Sequence, residues 1–298
     1  MQILTKQENG LKALVLSDLH IFNMNDINSI MKLLLKLEKN EYDVIYLVGD
    51  ILDSTNVLQM DNTFTAKIIE LISYFGRIAP TYIVYGSHDL SYRTIYNNWS
   101  SDKRTFQSKF IDKVAGLSNV KVLENETVDL GNGYTISGIN PSLNYAISTP
   151  DGNNKILDKE IEKYEFLSSL DSNNTNTLLC HYPNVIMYLH KLGIIPYVDL
   201  SIAGHNHNGC TQFRFIPVEG ILNLFGQKNR GLITPGKSTS ISDTEVLRGD
   251  IDVSSYNIML MNPAFKTLSA SSGLEKFDWM FYRGYSEVEY IPQRTLKK

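Results

Sequence analysis

Short apolar runs without polar alternation recur along much of this chain: Leu11–Ser17, Val44–Val48, Thr81–Tyr85, Tyr134–Ser137, Thr177–Cys180 and Leu200–Ala203. Val, Ile, Leu and Tyr dominate them. A strand with one wet face alternates apolar and polar residues, whereas a strand covered on both faces does not, so these runs read as buried strands of an α/β sheet. Between the first two lies Asn25–Lys39, with apolar residues at 27, 30, 31, 34, 35 and 37, a helical stripe. Asp61–Phe75 reads as a second helix and Ile161–Leu170 as a third. Strand and helix taking turns over residues 11–85 predicts right-handed βαβ units.

After Gly204 the chain becomes richer in Gly, Ser, Thr and aromatic residues. Cys210–Ile216, Ile258–Met261 and Glu287–Ile291 read as a second layer of mostly antiparallel strands. The expected fold is therefore α/β, a four-layer α/β/β/α sandwich with two packed mixed sheets flanked by helices. Asn140–Lys155 and Gly226–Asp252 read as loops, the second long enough to suggest a function or disorder. No internal repeat or linker divides the chain. One domain is expected over residues 1–298, with the chemistry-bearing motifs within 18–207 and residues 208–298 completing the second sheet.

The 298 residues suit one large α/β domain. With 43% apolar and 20% charged residues the composition is that of a soluble globular protein. A net charge of −4 supplies no global positive field to gather nucleic acid. Cys180 and Cys210 form no CxxC pair, so a disulfide framework is not expected and a reducing cytoplasm is. The opening residues lack the basic start, apolar stretch and cleavage site of a signal peptide. No apolar run is long enough to cross a bilayer, so no membrane partner is expected.

The chemistry lies where the strands end. Ser17-Asp18-Leu19-His20 closes the first run; in extended chain Asp18 and His20 point to one side and can bind one ion. Gly49-Asp50 closes the second and Gly86-Ser87-His88-Asp89 the third. His181 follows Thr177–Cys180, and Gly204-His205-Asn206-His207 ends the series. Each cluster alone is commonplace, a turn or a satisfied polar contact. Together, at the carboxyl ends of strands that line one crevice, they predict a single site. Mixed His/Asp ligation suits Zn, Mn or Fe better than Mg or Ca.

The series Asp-x-His, Gly-Asp, Gly-x-His-Asp, His and Gly-His-x-His, spanning residues 18 to 207, resembles the calcineurin-like metallophosphoesterase superfamily. The resemblance implies two divalent metal ions, Mn²⁺ foremost with Fe and Zn as alternatives. It implies that Asp18, His20 and His207 hold the first ion, that Asp50 bridges both, and that His181 and His205 hold the second. It gives His88 a place facing the phosphate, with Asp89 steering its ring. The implied reaction is attack on phosphorus by a metal-activated water or hydroxide, without a phosphoenzyme.

The chain departs from the family at position 87, usually Asn. Ser87 offers a shorter hydroxyl, a weaker ligand at neutral pH. It can coordinate directly or through water and leave a looser second ion; it can tune metal choice or rate; or the site can be degenerate and the fold kept as a binding scaffold. Retention of every His and Asp favours an active enzyme.

Other residues carry plainer expectations. His190 reads as a helix histidine without a site role, Cys180 as core, Cys210 as core or near-site. Asp53 reads as a turn or cap residue, with support of the site as the lesser alternative. Tyr182, Tyr92 and Trp99 follow the motifs and could line a pocket. Arg230 and Arg248 flank the long loop and could grip a second phosphate, against a solvated-charge alternative. Substrate choice lies in loops outside the motifs. A small-molecule or nucleotide phosphomonoester or phosphodiester is the favoured substrate, cutting of DNA ends a rival, and oligomeric state is left open.

Overall fold

In the computed structural model, residues 10–53, 62–90, 110–141, 157–205, 238–240, 246–247, 258–261, 265 and 285–290 are described. β1 (Leu11–Leu16), α1 (Met24–Leu37), β2 (Val44–Val48), α2 (Asn62–Ile78), β3 (Thr81–Val84) and α3 (Ser87–Leu90) come first, followed by β4 (Val120–Val122). Then follow β5 (Glu126–Gly131), β6 (Tyr134–Ile139), β7 (Thr175–Cys180), α4 (Pro183–Lys191) and β8 (Leu200–Ala203). β9 (Ser238–Ser240), β10 (Val246–Leu247), β11 (Ile258–Met261) and β12 (Ser286–Tyr290) complete the order.

Two mixed sheets form, ordered β12-β1-β2-β3-β4 and β10-β9-β11-β8-β7-β6-β5. Burial explains the unalternating runs. In β2, Ile45 and Leu47 pack against α1 and α2, while Val44, Tyr46 and Val48 face the other sheet. In β7, Leu179 joins the inter-sheet core and Leu178 and Cys180 pack towards α4. Three apolar cores thus separate four layers, the α/β/β/α sandwich expected. Strands β2, β3, β6, β7 and β8 are buried on both faces, at about 25 cal/mol per Å² of apolar surface removed from water.

Local chemistry sets the helix starts. Asn23 caps α1: its Oδ1 accepts from the amides of Asn25 and Asp26 at 2.8 and 3.3 Å, and the Asp26 carboxylate accepts from the Asn23 amide at 3.1 Å. Ile27, Ile30 and Leu34 form the buried stripe, whereas Leu35 is exposed.

Several expectations are corrected. The second sheet begins at residue 126, not after Gly204, and its centre, β6-β7-β8-β11, is parallel. β12 does not complete that sheet; it pairs antiparallel with β1 at the edge of the first. The strands after Gly204 read as one antiparallel layer because pairing partners distant in sequence leave no local signature. β9 and β10 lie inside the stretch read as the loop Gly226–Asp252. Ile161–Ser169 is 3-10 rather than α-helical, with only Tyr164 and Leu167 buried, too few for a continuous apolar stripe. Cys210–Ile216 lies outside the described residues.

Candidate metal centre

The carboxyl ends of parallel strands β1, β2 and β3 from one sheet, and β7 and β8 from the other, meet at one place. The chain does not remain extended there. Asp18 (φ 52°), His20 (φ 41°), Asp50 (φ 51°) and His205 (φ 69°) all have left-handed backbones. The expectation that Asp18 and His20 share a side because the strand continues is therefore corrected: left-handed turns direct them instead. The turns are held by ladder-like bonds between loops, with the amides of Asp18 and His20 donating to the carbonyls of Gly49 and Asp50 at 3.0 and 2.9 Å.

Two glycines permit the approach. A Cβ on Gly86 would lie 2.1 Å from Asp50 Oδ1, and one on Gly49 (φ +80°) would lie 2.4 Å from His181 Nδ1. Only a residue without a side chain fits at either.

Among the described residues three groups of ligand atoms result, each within 4.8 Å of one another: Asp18, His20 and Asp50; Asp50, His181 and His205; and His20, Asp53 and His88. Asp50 belongs to both of the first two. Its Oδ2 lies 3.1 Å from His181 Nε2 and 3.9 Å from His20 Nε2, and its Oδ1 accepts from the His88 amide at 2.9 Å. Asp18 accepts from the His205 amide at 3.1 Å. The His20 and His88 rings meet edge to face at 4.6 Å, those of His181 and His205 at 5.1 Å. Asp18, His20, Asp50, Asp53 and His181 are buried, while His88 and His205 are partly exposed.

The donor set fits divalent metal. A carbonyl can only accept, so the 2.8 Å contact of His181 Nδ1 with the Val48 carbonyl places a proton on Nδ1. That leaves Nε2, beside Asp50, as the atom for an ion, the usual arrangement of a metal-binding imidazole. Burial alone would raise the Asp50 carboxyl, yet the neighbouring charges of His181, His88 and His20 hold it well below its ordinary range. For His181 burial is outweighed by Asp50, which pushes the ring up to about 9. Such buried carboxylates need positive partners, which a divalent ion held between Asp50 and these imidazoles would supply.

Asp89 sits differently from expectation. Its carboxylate accepts from the amides of Leu52, Gly86 and Ile51 at 2.9, 3.0 and 3.3 Å, tying the loop after β3 to the loop after β2. Burial and Asp50 raise it to about 6. The carboxylate grouped with His88 is Asp53, whose sequence context reads first as a turn or cap. Its place three residues after Asp50, on the same loop, was the available signal.

Ser87 opens α3, half-buried. Tyr182 is buried rather than lining an open pocket, its ring 5.1 Å from His181 and 4.7 Å from His205. Cys180 is a buried free thiol in the core beneath. His190 is partly buried in α4 and belongs to none of the ligand groups. His207, Cys210, Arg230, Arg248, Tyr92 and Trp99 lie outside the described residues.

Comparison with known proteins agrees with this geometry. Residues 11–209 match the family described as calcineurin-like phosphoesterase. The chain belongs to that family. Calcineurin-like phosphoesterases hydrolyse phosphoesters with bound metal, and this chain is accordingly a metallophosphoesterase. It is 26% identical over 239 residues to an uncharacterized metallophosphoesterase of Aquifex aeolicus, covering 78% of this chain and 76% of that one. It is also 26% identical over 238 residues to one of Campylobacter jejuni, covering 77% of this chain but only 54% of that one. A dimetal phosphatase from Danio rerio shares the fold with a TM-score of 0.52 at 8% identity, over 95% of this chain and 93% of that one. Among the described residues no helix is long and apolar enough to cross a membrane.

Proposed function

We propose that this calcineurin-like phosphoesterase hydrolyses a small-molecule or nucleotide phosphoester at a two-ion centre. In this reading Asp18, His20 and His207 hold one ion, His181 and His205 the other, Asp50 both, and Ser87 adds a weak oxygen to the second. The membership of Asp50 in two ligand groups carries the reading. Mn²⁺ is the favoured ion, Fe and Zn the alternatives, since the donors mix imidazole and carboxylate. A bound pair of divalent ions supplies charge stabilisation and lowers the pKa of a water towards neutrality.

The chain's own groups do the rest. His88 is partly exposed, edge-on to His20 and grouped with Asp53. From there its ring can stabilise charge on phosphoryl oxygens and return a proton to the leaving oxygen. Asp89 holds the two loops that carry His88 and Asp50 in register. Residues 1–298 are read as one domain, because chain segments from both ends build the first sheet. Arg230 and Arg248 stay candidates for substrate contacts. A reducing cytoplasm is the compartment proposed, since the two cysteines form no CxxC pair.

The test combines metal content by elemental analysis with turnover of mono- and bis-p-nitrophenyl phosphate, dinucleotides and single-stranded DNA. Each is assayed with Mn²⁺, Zn²⁺, Mg²⁺ and Fe²⁺. We expect two ions per chain and turnover of small esters in preference to DNA, both abolished by Asp50→Asn. Two bound ions with no turnover on any substrate would favour a scaffold, and DNA as the best substrate would favour a nuclease.

A further inference from the structure

The ladder between β3 and β4 is interrupted by a side chain from the other sheet. The Leu123 amide donates to the Ile83 carbonyl at 2.8 Å, so a regular parallel ladder would next send the Tyr85 amide to the Leu123 carbonyl. Instead the Tyr85 amide donates to Asn140 Oδ1 at 2.8 Å, and Asn140 Nδ2 donates to the Leu123 carbonyl at 2.6 Å. The side-chain amide thus takes the place of one ladder bond and makes two. Asn140 directly follows β6, and its own amide donates to Asn125 Oδ1 at 3.1 Å. Gly138 permits the approach: a Cβ there would lie 2.3 Å from Leu123 Cβ and 2.9 Å from Val84 Cγ1.

The loop that begins at Tyr85 carries Ser87 and His88. Its amides at 85, 86 and 88 are each held by a side-chain oxygen, from Asn140 at 2.8 Å, Asp89 at 3.0 Å and Asp50 at 2.9 Å. Of these three, Asn140 alone comes from the second sheet.

We propose that Asn140 is a positioning residue for His88, parting β3 from β4 after Val84 and so setting where this loop leaves the sheet. An amide suits the place because it offers an acceptor and a donor side by side. A carboxylate of the same shape would set an oxygen against the Leu123 carbonyl, and an alanine would remove both bonds. The inference deepens the two-ion reading and rests on it, and on the proton that His88 returns to the leaving oxygen.

The experiment uses the Mn²⁺-loaded full chain and the p-nitrophenyl ester it turns over best, mono- or bis-, beside the corresponding phenyl ester. Nitrophenolate departs as a stable anion, whereas phenolate gains more from a proton donor. His88→Ala should therefore slow the phenyl ester by about tenfold or more beyond its effect on the nitrophenyl ester. Asn140→Asp and Asn140→Ala should show the same bias at about fivefold, the range for one lost hydrogen bond, with metal content unchanged. In a His88→Ala background they should add no further bias. In the metal-free chain, hydrogen exchange at the Tyr85 amide should be about fivefold faster in Asn140→Ala.

Equal slowing of both esters in the Asn140 variants, with His88→Ala biased, would overturn the inference and leave the role of His88 standing. So would further bias in the double variants, or unchanged exchange at Tyr85. Absence of bias in His88→Ala, or of turnover by the unaltered chain, would be a different result. It would remove the proposed role of His88, and with it this role for Asn140.

Discussion

At Asp18, His20, Asp50 and His205 the backbone is left-handed at non-glycine residues that carry the chemistry. Each such residue costs on the order of 1–3 kcal/mol, and the conformations persist because the surrounding bonds over-determine them. Gly86 is part of that restraint. We expect Gly86→Ala to push Asp50 aside, since the new methyl would fall 2.1 Å from its Oδ1. Stability should fall by about 1–3 kcal/mol, and metal content and turnover should fall together, as measured by denaturation and elemental analysis. The reactive residues themselves were legible from order and type alone. The partners of Asp89 and the place of Asp53 were not, because they depend on contacts between loops 37 or 38 residues apart in the case of Asp89.

Elements with a local signature were found, and those without one were not. α1 carries an amphipathic stripe and an Asn23–Asp26 capping box, and its bounds fall within a residue or two of expectation. Asn23→Ala should cost about 1 kcal/mol of stability, readable as a lower denaturant midpoint at unchanged slope, because two first-turn amides lose their acceptor. β4 and β5 carry no such signature. β4 is three residues long, and β5 is an edge strand burying only Val128 and Leu130. The Gly131-Asn132-Gly133 turn, all at positive φ, marks the β5–β6 hairpin and was its available signal. α3 went unseen for another reason: four residues are too few to show periodicity.

At the scale of the molecule, the inter-sheet core binds the two halves of the site to each other. Tyr82 and Tyr134 lie in it. Burial raises the Tyr82 phenol and pushes Tyr134 up to about 12. In the unfolded chain tyrosine ionises at about 10, so the unfolded state loses these protons first. Their contribution to stability is complete below pH about 10 and is lost as pH rises towards 12. Thermal midpoints measured from pH 8 to 12 should fall over that window, and Tyr134→Phe should make the fall shallower. A midpoint independent of pH across this range would contradict the burial assigned to both rings.

Sequence alone determined the layered α/β class, the two long helices and the residues of the metal motifs, because side-chain period and residue type are local properties. Tertiary structure decided what those properties cannot encode. It sent β12 to the first sheet and β11 alongside β8, since strand pairing is chosen by burial over the whole fold. It turned the backbone left-handed at the chemistry-bearing positions and brought Asp53 to His88 and Tyr182 to His205. These are meetings of loops from different strands, whose distances are settled only when both sheets pack against one core.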